Sequence, residues 1–168
     1  FGKAITEDKE IFDQCTDTII RQVGDIGRMV DEFSSFARMP KPVVETQDLA
    51  ETIRQAVFLQ RVGKPEIRFD VELPNGAMTA RFDRRLISQA LTNILKNSGE
   101  AIEVLSQEQR ALARILVRAE RKGEIAVIDV IDNGVGLPKE NRERLLEPYV
   151  TTREKGTGLG LAIVGKIF

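Results

Sequence analysis

The sequence has 168 residues, of which 42% are hydrophobic and 30% are charged, and its formal net charge is −1. This length holds one substantial domain and a small extra element, and the nearly neutral charge gives no basic field that would favour nucleic acid. No apolar run is long enough to cross a membrane, and the one cysteine, Cys15, excludes an internal disulfide and fits a reducing compartment. We therefore expect a soluble cytoplasmic domain with no nucleic-acid partner.

Histidine is absent from the sequence. This absence excludes histidine metal ligands, a Ser-His-Asp triad and a histidine general base within the chain. With a single cysteine, a zinc site is disfavoured as well.

The first part of the chain, from Thr6 to about Ala37, contains no proline and is predicted to form a long helix capped by Thr6. Its apolar or small residues alternate in steps of four and three, which is the heptad seam of a bundle helix; they are Phe12, Thr16, Ile19, Val23, Ile26, Val30, Phe33 and Ala37. The stripe is broad, so more than one partner helix is expected. A helix packed on its own globular domain is the alternative, and a bundle arm outside that domain is favoured.

The segment Met39-Pro40-Lys41-Pro42 ends this helix, because each proline disfavours helix at the residue before it. We place a domain boundary there. Beyond it, periodicity and turn signals predict a strand from Val43-Val44 and a helix from Asp48 to about Gln60. Two strands follow, over 66–73 and 77–82 around a turn at 74–76, and then a helix from Asp83 to about Val104. After a polar loop, the pattern predicts strands over 113–120 and 124–131 and a helix in the last ten residues. This mixed order, with antiparallel hairpins and helices on one face, predicts an α+β fold.

The helix from Asp83 carries a polar line along one edge. Gln89, Asn93 and Asn97 lie four residues apart and Glu100 follows, so their side chains share a face. Asparagine is a poor helix former, so two of them one turn apart require a reason. Either this face is exposed to solvent, or the amide side chains point into a ligand-binding cleft. In such a cleft an amide oxygen can coordinate Mg²⁺ together with phosphates and water.

The second motif, Asp132-Asn133-Gly134-Val135-Gly136, directly follows a predicted strand. A carboxylate at the end of a buried strand is placed to accept a hydrogen bond from a ligand, and the glycines let the backbone come close to a flat ring. Asp-Asn-Gly is also a common turn signal. Taken alone, the motif therefore also fits a simple turn.

The third motif, Gly156-Thr157-Gly158-Leu159-Gly160-Leu161, opens the final helix. Backbone N–H groups at a helix N-terminus favour phosphate oxygens, and Arg153 and Lys155 just before the motif can add positive charge. The dinucleotide-binding pattern does not fit, because Leu161 and Ile163 stand where it needs glycine. A Walker loop does not fit either, because Ile167 stands where it needs serine or threonine.

In this order, the three motifs resemble the N, G1 and G2 boxes of the GHKL ATP-binding superfamily, with the F box and lid between the last two. The N box, LTNILKNSGEA, has the Asn-x-x-x-Asn form typical of sensor histidine kinases, whereas Hsp90-, gyrase- and MutL-like ATPases have a catalytic glutamate where Asn93 stands. The segments EPYVTT and GTGLGLAIV resemble those of nitrogen-regulation kinases. MVDEFSSFARMP resembles the second bundle helix of their NtrY type. The resemblance covers nearly the whole chain.

This resemblance implies a two-layer α/β sandwich of the histidine-kinase ATP-binding (Bergerat) type over residues 41–168, preceded by one long bundle helix over residues 1–40. That helix is expected to be the second of a dimerisation and histidine-phosphotransfer bundle. The first helix, which carries the phosphoacceptor histidine, is expected to be absent. The strands that usually complete the sheet are expected to be missing after Phe168.

The resemblance also implies a site for ATP and Mg²⁺. Asn97 is the expected Mg²⁺ ligand and Asn93 supports the phosphate side, which makes these two the candidate catalytic residues. Asp132 is expected to accept a hydrogen bond from the adenine amino group. The other candidate nucleotide-binding residues are Glu100 in the N box, Gly134 and Gly136 in the base pocket, and Arg153, Lys155, Gly156, Thr157, Gly158, Leu159, Gly160 and Leu161 at the phosphates, beneath a lid of roughly residues 137–156.

The implied activity is transfer of the γ-phosphate of ATP to a histidine on a bundle helix outside this chain, for relay to the receiver domain of a response regulator. The intact protein is expected to be a homodimer and a membrane-anchored kinase of which this is a cytoplasmic part. The chain alone is not expected to autophosphorylate. Leu146 stands where the F box usually has phenylalanine, and Tyr149 is the candidate substitute for docking that box on the bundle.

Two alternatives remain. The first is an ATP-hydrolysing machine of the same fold, against which Asn93 argues because it replaces the catalytic glutamate. The second is a dimerisation or sensing module with a vestigial nucleotide cleft, which the three intact boxes disfavour.

Overall fold

The computed structural model describes residues 2–138, 142–151 and 156–168, with side chains from Lys9 onward. The chain divides into two compact units, residues 1–39 and residues 40–168. Among the described residues, no helix combines the length and the hydropathy needed to cross a membrane.

The first unit is a single helix, α1 (Gly2–Ala37). It begins four residues before the predicted start, so Thr6 lies inside the helix and is not its cap. The heptad seam is exposed, with Phe12 at 68% and Ile19 and Val23 at 63% each. Burying one such side chain stabilises a structure by about 1.5–3 kcal/mol. Packing this seam against partner helices would therefore contribute substantial stability.

The second unit contains the remaining helices and all the strands of the described chain. Its elements are β1 (Glu45–Asp48), α2 (Leu49–Gly63), β2 (Arg68–Glu72), β3 (Thr79–Phe82), α3 (Arg84–Glu103), α4 (Gln107–Arg110), β4 (Arg114–Lys122), β5 (Ile125–Asp132), a 3-10 turn (Arg142–Leu146) and α5 (Gly160–Ile167).

The strands form two sheets. In the three-stranded sheet, β4 is central: it pairs parallel with β2, with Ile115 opposite Phe69, and antiparallel with β5, with Ile115 opposite Asp132. The other sheet is the antiparallel pair of β1 and β3. The predicted β4–β5 hairpin is confirmed, whereas β2 and β3, although consecutive, pair with different partners and form no hairpin.

The core lies between α2, α3 and one face of the larger sheet. Among its side chains exposed by 1% or less are Ile53 of α2, Leu95 and Ile102 of α3, and Ile115 and Val117 of β4. Strand β4 alternates between these inward residues and outward charged ones such as Arg118, which is the period-two pattern of a sheet covered on one side. The predicted α+β fold is confirmed.

Two aspartates cap helices and also hold distant segments. Asp48 Oδ1 accepts the N–H of Ala50 at the start of α2 and the N–H of Met78, both at 3.0 Å. Asp83 Oδ1 accepts the N–H of Arg85 at 2.9 Å, and its Oδ2 accepts the N–H of Val43 at 2.8 Å. Both predicted caps are confirmed, and each carboxylate also closes a loop of the chain.

Two local predictions were wrong. Val43 and Val44 lie before β1 and are 63% and 47% exposed, and the Val43 N–H bonds to the Asp83 carboxylate in place of a strand partner. The predicted polar loop after α3 contains the short helix α4. Its capping box, Ser106 with Gln109, satisfies backbone donors that a loop would leave to water.

Asp83→Ala is expected to lower the free energy of unfolding by about 1–2 kcal/mol near neutral pH, as the loss of a helix cap does. The N–H of Val43, more than that of Leu86, holds the pKa of the Asp83 carboxyl below its ordinary value of 3.8. Its contribution is therefore full above the ordinary pKa and disappears as the pH falls through the lowered one. The variant should consequently lose less stability than the unchanged chain on acidification, measured by urea unfolding with circular dichroism.

Asp83→Asn, which keeps one capping oxygen, should fall between the two proteins. Glu124→Ala, in the exposed turn after β4, is the control and should unfold like the unchanged chain. If Asp83→Ala lost as much stability on acidification as the unchanged chain, the capping role of the Asp83 carboxylate would be contradicted.

Candidate functional site

Helix α3 has one buried face and one polar face. Leu91 and Leu95 are 3% and 1% exposed in the core, while Asn93, Asn97 and Glu100 are half-buried along the other edge. The Asn93 Nδ2 group donates a hydrogen bond to the carbonyl oxygen of Gly160 at 3.1 Å. The structure therefore brings the asparagine line of α3 to the first turn of α5, where the glycine-rich motif lies.

The glycine-rich motif makes a tight turn that only glycine fits at position 158. Gly158 has φ +69°, and a Cβ there would lie 2.6 Å from the carbonyl carbon of Tyr149. The Tyr149 N–H donates to the Gly158 carbonyl at 3.1 Å, and Tyr149 itself has a positive φ of 65°. Such backbone conformations cost free energy and persist only where the surroundings hold them. The conformation of this turn is therefore held in place by the residues around it.

Helix α5 starts directly after this turn. The Leu159 side chain is 1% exposed and anchors the turn in the interior, while the Leu159 N–H donates to Thr157 Oγ1 at 3.3 Å. The first N–H groups of a helix have no acceptor within it, and they favour anions. Gly156 is exposed, and Thr157, Gly160 and Leu161 are half-buried around this helix start.

The start of α5 lies close to the Asn97 side chain of α3. A Cβ on Gly160 would be 4.0 Å from Asn97 Nδ2, which is an ordinary van der Waals contact. Among the described residues, no group of three or more acidic, histidine or cysteine side chains could hold a metal ion by itself. Mg²⁺ commonly takes one or two protein oxygens and completes its shell with phosphates and water, and the Asn97 amide oxygen fits that donor set.

The Asp132 carboxylate lies at the end of β5. Its Oδ1 accepts a hydrogen bond from the N–H of Gly134 at 2.9 Å, which forms an Asx turn. Within the described part of the chain, Oδ2 accepts no hydrogen bond. Asp132 is half-buried, so this oxygen is available to a ligand that brings a donor.

Gly134 lies directly against α3. A Cβ at this position would be 2.7 Å from the carbonyl carbon of Ala101 and 2.8 Å from its oxygen, and the next residue, Val135, donates its N–H to the same oxygen at 3.1 Å. Gly134 therefore has a structural reason to be glycine in addition to its predicted place in the base pocket. Gly136 is exposed, with φ +77° and open space around it.

Asn133 is a residue whose role the sequence analysis missed. Its Oδ1 accepts the N–H of Arg114 at 2.8 Å and its Nδ2 donates to the carbonyl of Leu112 at 2.7 Å. Its own N–H donates to the Arg114 carbonyl at 3.3 Å. The signal was present in the sequence, because asparagine in a turn commonly bonds to nearby backbone groups, but the partner segment lies far away along the chain.

Two candidate site residues, Arg153 and Lys155, lie outside the described residues, as do parts of the predicted lid. Of the F box, Leu146 is 54% exposed and Tyr149 is 63% exposed. Leu146 lies beside α5, where a Cβ on Gly165 would be 3.5 Å from the Leu146 Cβ. The docking of this box on a bundle stays a prediction.

The family of histidine kinase-, DNA gyrase B- and HSP90-like ATPases matches residues 82–168. Nitrogen regulation protein NtrY of Azorhizobium caulinodans is 74% identical over 167 residues, which are 99% of this chain and 22% of that protein. The chain spans about a quarter of the length of the curated relatives it matches.

Solved histidine kinases have a similar fold. Full-length ShkA in complex with AMPPNP superposes with a TM-score of 0.68 at 25% identity, over 89% of this chain and 32% of that one. ThkA in complex with the response regulator protein TrrA gives a TM-score of 0.69 at 24% identity, over 90% of this chain and 42% of that one. The chain therefore belongs to the histidine kinase-, DNA gyrase B- and HSP90-like ATPases and, among them, to the sensor histidine kinases of the NtrY type.

Gly99 of α3 offers a contrast with Gly134 of the loop after β5. A Cβ on Gly99 would meet the end of the Lys64 side chain, 2.8 Å from its Nζ, and Lys64 forms an ion pair with Glu103 at 2.5 Å. The end of a lysine side chain can shift when its ion pair rearranges, whereas the Ala101 backbone beside Gly134 cannot move without moving α3.

Gly134→Ala is expected to lower the free energy of unfolding by roughly 1–3 kcal/mol, the usual cost of overpacking, and to weaken nucleotide binding because the loop must leave α3. Gly99→Ala is the matched control. It should be neutral or stabilise by up to about 1 kcal/mol, because alanine favours helix over glycine. Thermal unfolding and calorimetric titration with ATP measure both effects, and equal losses in the two variants would refute the close-approach argument.

Proposed function

We propose that residues 40–168 bind Mg²⁺-ATP and transfer its γ-phosphate to a histidine on a bundle helix outside this chain. The observation that carries the proposal is that one helix, α3, holds both halves of the site. Asn93 bonds to Gly160 near the middle of α3, and Val135 bonds to Ala101 about two turns further along, near its C-terminal end. The similarity to ShkA, whose structure contains AMPPNP, supports an adenine nucleotide as the ligand.

Asp132 is the proposed recognition residue for the base. With Oδ1 held by the Gly134 N–H, Oδ2 can accept a hydrogen bond from the adenine amino group. Guanine presents a carbonyl oxygen where adenine has this amino group, so two acceptors would face each other. The geometry therefore favours adenine over guanine.

The phosphate side of the proposed site is formed by Asn97, the N-terminus of α5 and, by sequence, Arg153 and Lys155. These groups bind and orient the phosphates and compensate their negative charge, which is the main contribution of proteins to phosphoryl transfer. When bound beside Asn97, Mg²⁺ supplies further neutralisation of the phosphate oxygens. Glu100 lies on the same edge of α3 and is proposed as part of this lining.

In the proposed transfer, the bond from the γ-phosphorus to the bridging oxygen of ATP breaks, a bond to an imidazole nitrogen forms, and ADP leaves. The chain contains no histidine, so the acceptor lies on another helix. Residues 1–40 are proposed to be the second helix of the bundle that carries it, and residues 41–168 the catalytic domain. A homodimer, a response regulator as the next acceptor and a membrane anchor elsewhere in the intact kinase complete the proposal.

The ATP-hydrolysing alternative receives no support from the site. An amide cannot act as a general base at neutral pH, and the Asn93 amide is already bonded to the Gly160 carbonyl. The vestigial alternative predicts no nucleotide binding at all, so calorimetric titration of the chain with ATP tests it directly.

Asp132→Asn is expected to weaken ATP binding by roughly 10- to 100-fold, which corresponds to a mispaired polar group. If the new amide oxygen keeps the Gly134 N–H, its NH₂ group faces the adenine amino group, and two donors meet. The unchanged chain should bind ATP much more tightly than GTP in calorimetry, and the variant should lose most of that preference.

Asp129→Asn is the matched control, since Asp129 lies on the same strand and instead pairs with Arg118 at 2.9 Å. It should leave both affinities unchanged. Equal affinities of the unchanged chain for ATP and GTP would remove Asp132 from the proposed role.

Mixing this chain with labelled ATP, Mg²⁺ and a separately produced phosphoacceptor helical domain should place label on a histidine of that domain. The chain alone should acquire none. Asn97→Ala should abolish both the transfer and the Mg²⁺-dependent part of ATP affinity. Asn75→Ala, in the exposed turn before β3, should retain both. Label on the isolated chain, or full transfer by Asn97→Ala, would contradict the mechanism.

A further inference from the structure

The loop that carries Asp132 is anchored by an asparagine to a segment outside the nucleotide-binding motifs. The ladder between β4 and β5 ends at the pair Ile115 and Asp132. The next residue, Asn133, continues it with three hydrogen bonds to residues 112–114, two from its side chain and one from its main chain. The turn after β5 is thereby clamped to the chain that enters β4.

The segment that receives the clamp is itself ordered. The Ala113 N–H donates to the Arg110 carbonyl at 2.9 Å, and Arg110 Nε donates to the Leu105 carbonyl at 2.9 Å. The capping box of Ser106 and Gln109 closes the start of α4. Asn133 therefore bonds to a segment that already has a defined conformation. These hydrogen bonds restrict the movement of the turn after β5.

The clamp requires an amide side chain of this length. Its oxygen accepts from the Arg114 N–H while its nitrogen donates to the Leu112 carbonyl, which demands one acceptor and one donor on the same planar group. An aspartate would place an oxygen against the Leu112 carbonyl, and an alanine would make neither bond.

Asn133 is also the central residue of the turn that orients Asp132. The Asp132 Oδ1 accepts from the Gly134 N–H across it, and Gly134 lies on the Ala101 backbone. Asn133 and Gly134 are thus held by two different elements, the segment before β4 and helix α3. The Asp132 carboxylate, which bonds to the Gly134 N–H through Oδ1, is therefore attached to a turn that both elements hold.

We propose that Asn133 is a positioning residue that preorganises Asp132 for base recognition, an inference that rests on the proposed nucleotide-binding function. Asn133 does not touch the base itself. Its loss lets the turn after β5 move, and the Asp132 carboxylate must then be ordered again each time a nucleotide binds. A purely structural role would instead lower stability without altering the preference between bases.

A double-mutant cycle separates these two roles. Calorimetry would measure ATP and GTP affinity for the unchanged chain, Asn133→Ala, Asp132→Ala and the double variant. Asn133→Ala is expected to weaken ATP binding by roughly tenfold, the effect of about one lost interaction, and to leave the already weak GTP binding nearly unchanged. In the Asp132→Ala background the same change should alter ATP affinity by less than about twofold. Asn133→Asp, which breaks the clamp while keeping the size, should behave like Asn133→Ala.

Asn75→Ala controls for the loss of an asparagine from a turn, and circular dichroism checks folding. If Asn133→Ala does not fold, Asn133→Ser provides the same comparison with a smaller loss.

Equal weakening of ATP and GTP binding by Asn133→Ala, or effects that add fully in the double variant, would overturn the inference while leaving the proposed ATP binding intact. Unchanged ATP affinity of Asp132→Ala would overturn it together with the role of Asp132. No binding of either nucleotide by the unchanged chain would overturn the proposed function as well.

Discussion

The contact between the loop after β5 and the backbone of α3 determines where the rest of the site can lie. Gly134 approaches Ala101 so closely that no Cβ fits between them, and the Val135 N–H makes the hydrogen bond that fixes the distance. The same helix carries Asn93, whose amide holds the start of α5. A small rotation of α3 would therefore move the loop that carries Asp132 and the start of α5 together.

Helix α3 can serve as this common support because its own position is determined elsewhere. Its N-terminus is capped by Asp83, which also bonds to Val43, and its buried face packs Leu95 and Ile102 into the core. Interiors at native packing density resist displacement. The polar edge can then carry helix-disfavouring asparagines, because the stability lost there is offset by the opposite face.

What the sequence predicted correctly was local. Caps at Asp48 and Asp83, the period-two strands and the hairpin between β4 and β5 each depend on residues close together in the chain. What it missed depends on distant partners: the parallel pairing of β2 with β4, the clamp from Asn133 to Leu112, and the bond from Asn93 to Gly160. The motifs indicated which residues belong to one site, but only the fold shows which backbone each of them touches.

The two asparagines of α3 differ in the backbone groups that surround them. They are equivalent in the sequence pattern, one turn apart on one face. In the structure, Asn93 donates a hydrogen bond from its amide nitrogen to the Gly160 carbonyl, whereas the Asn97 amide nitrogen would be 4.0 Å from a Cβ on Gly160. A glutamate at position 93 could not donate that hydrogen bond, because an ionised carboxylate is an acceptor only, and its charge would face a carbonyl oxygen. Asparagine at position 93 therefore has a structural reason, which is the attachment of α5 to α3.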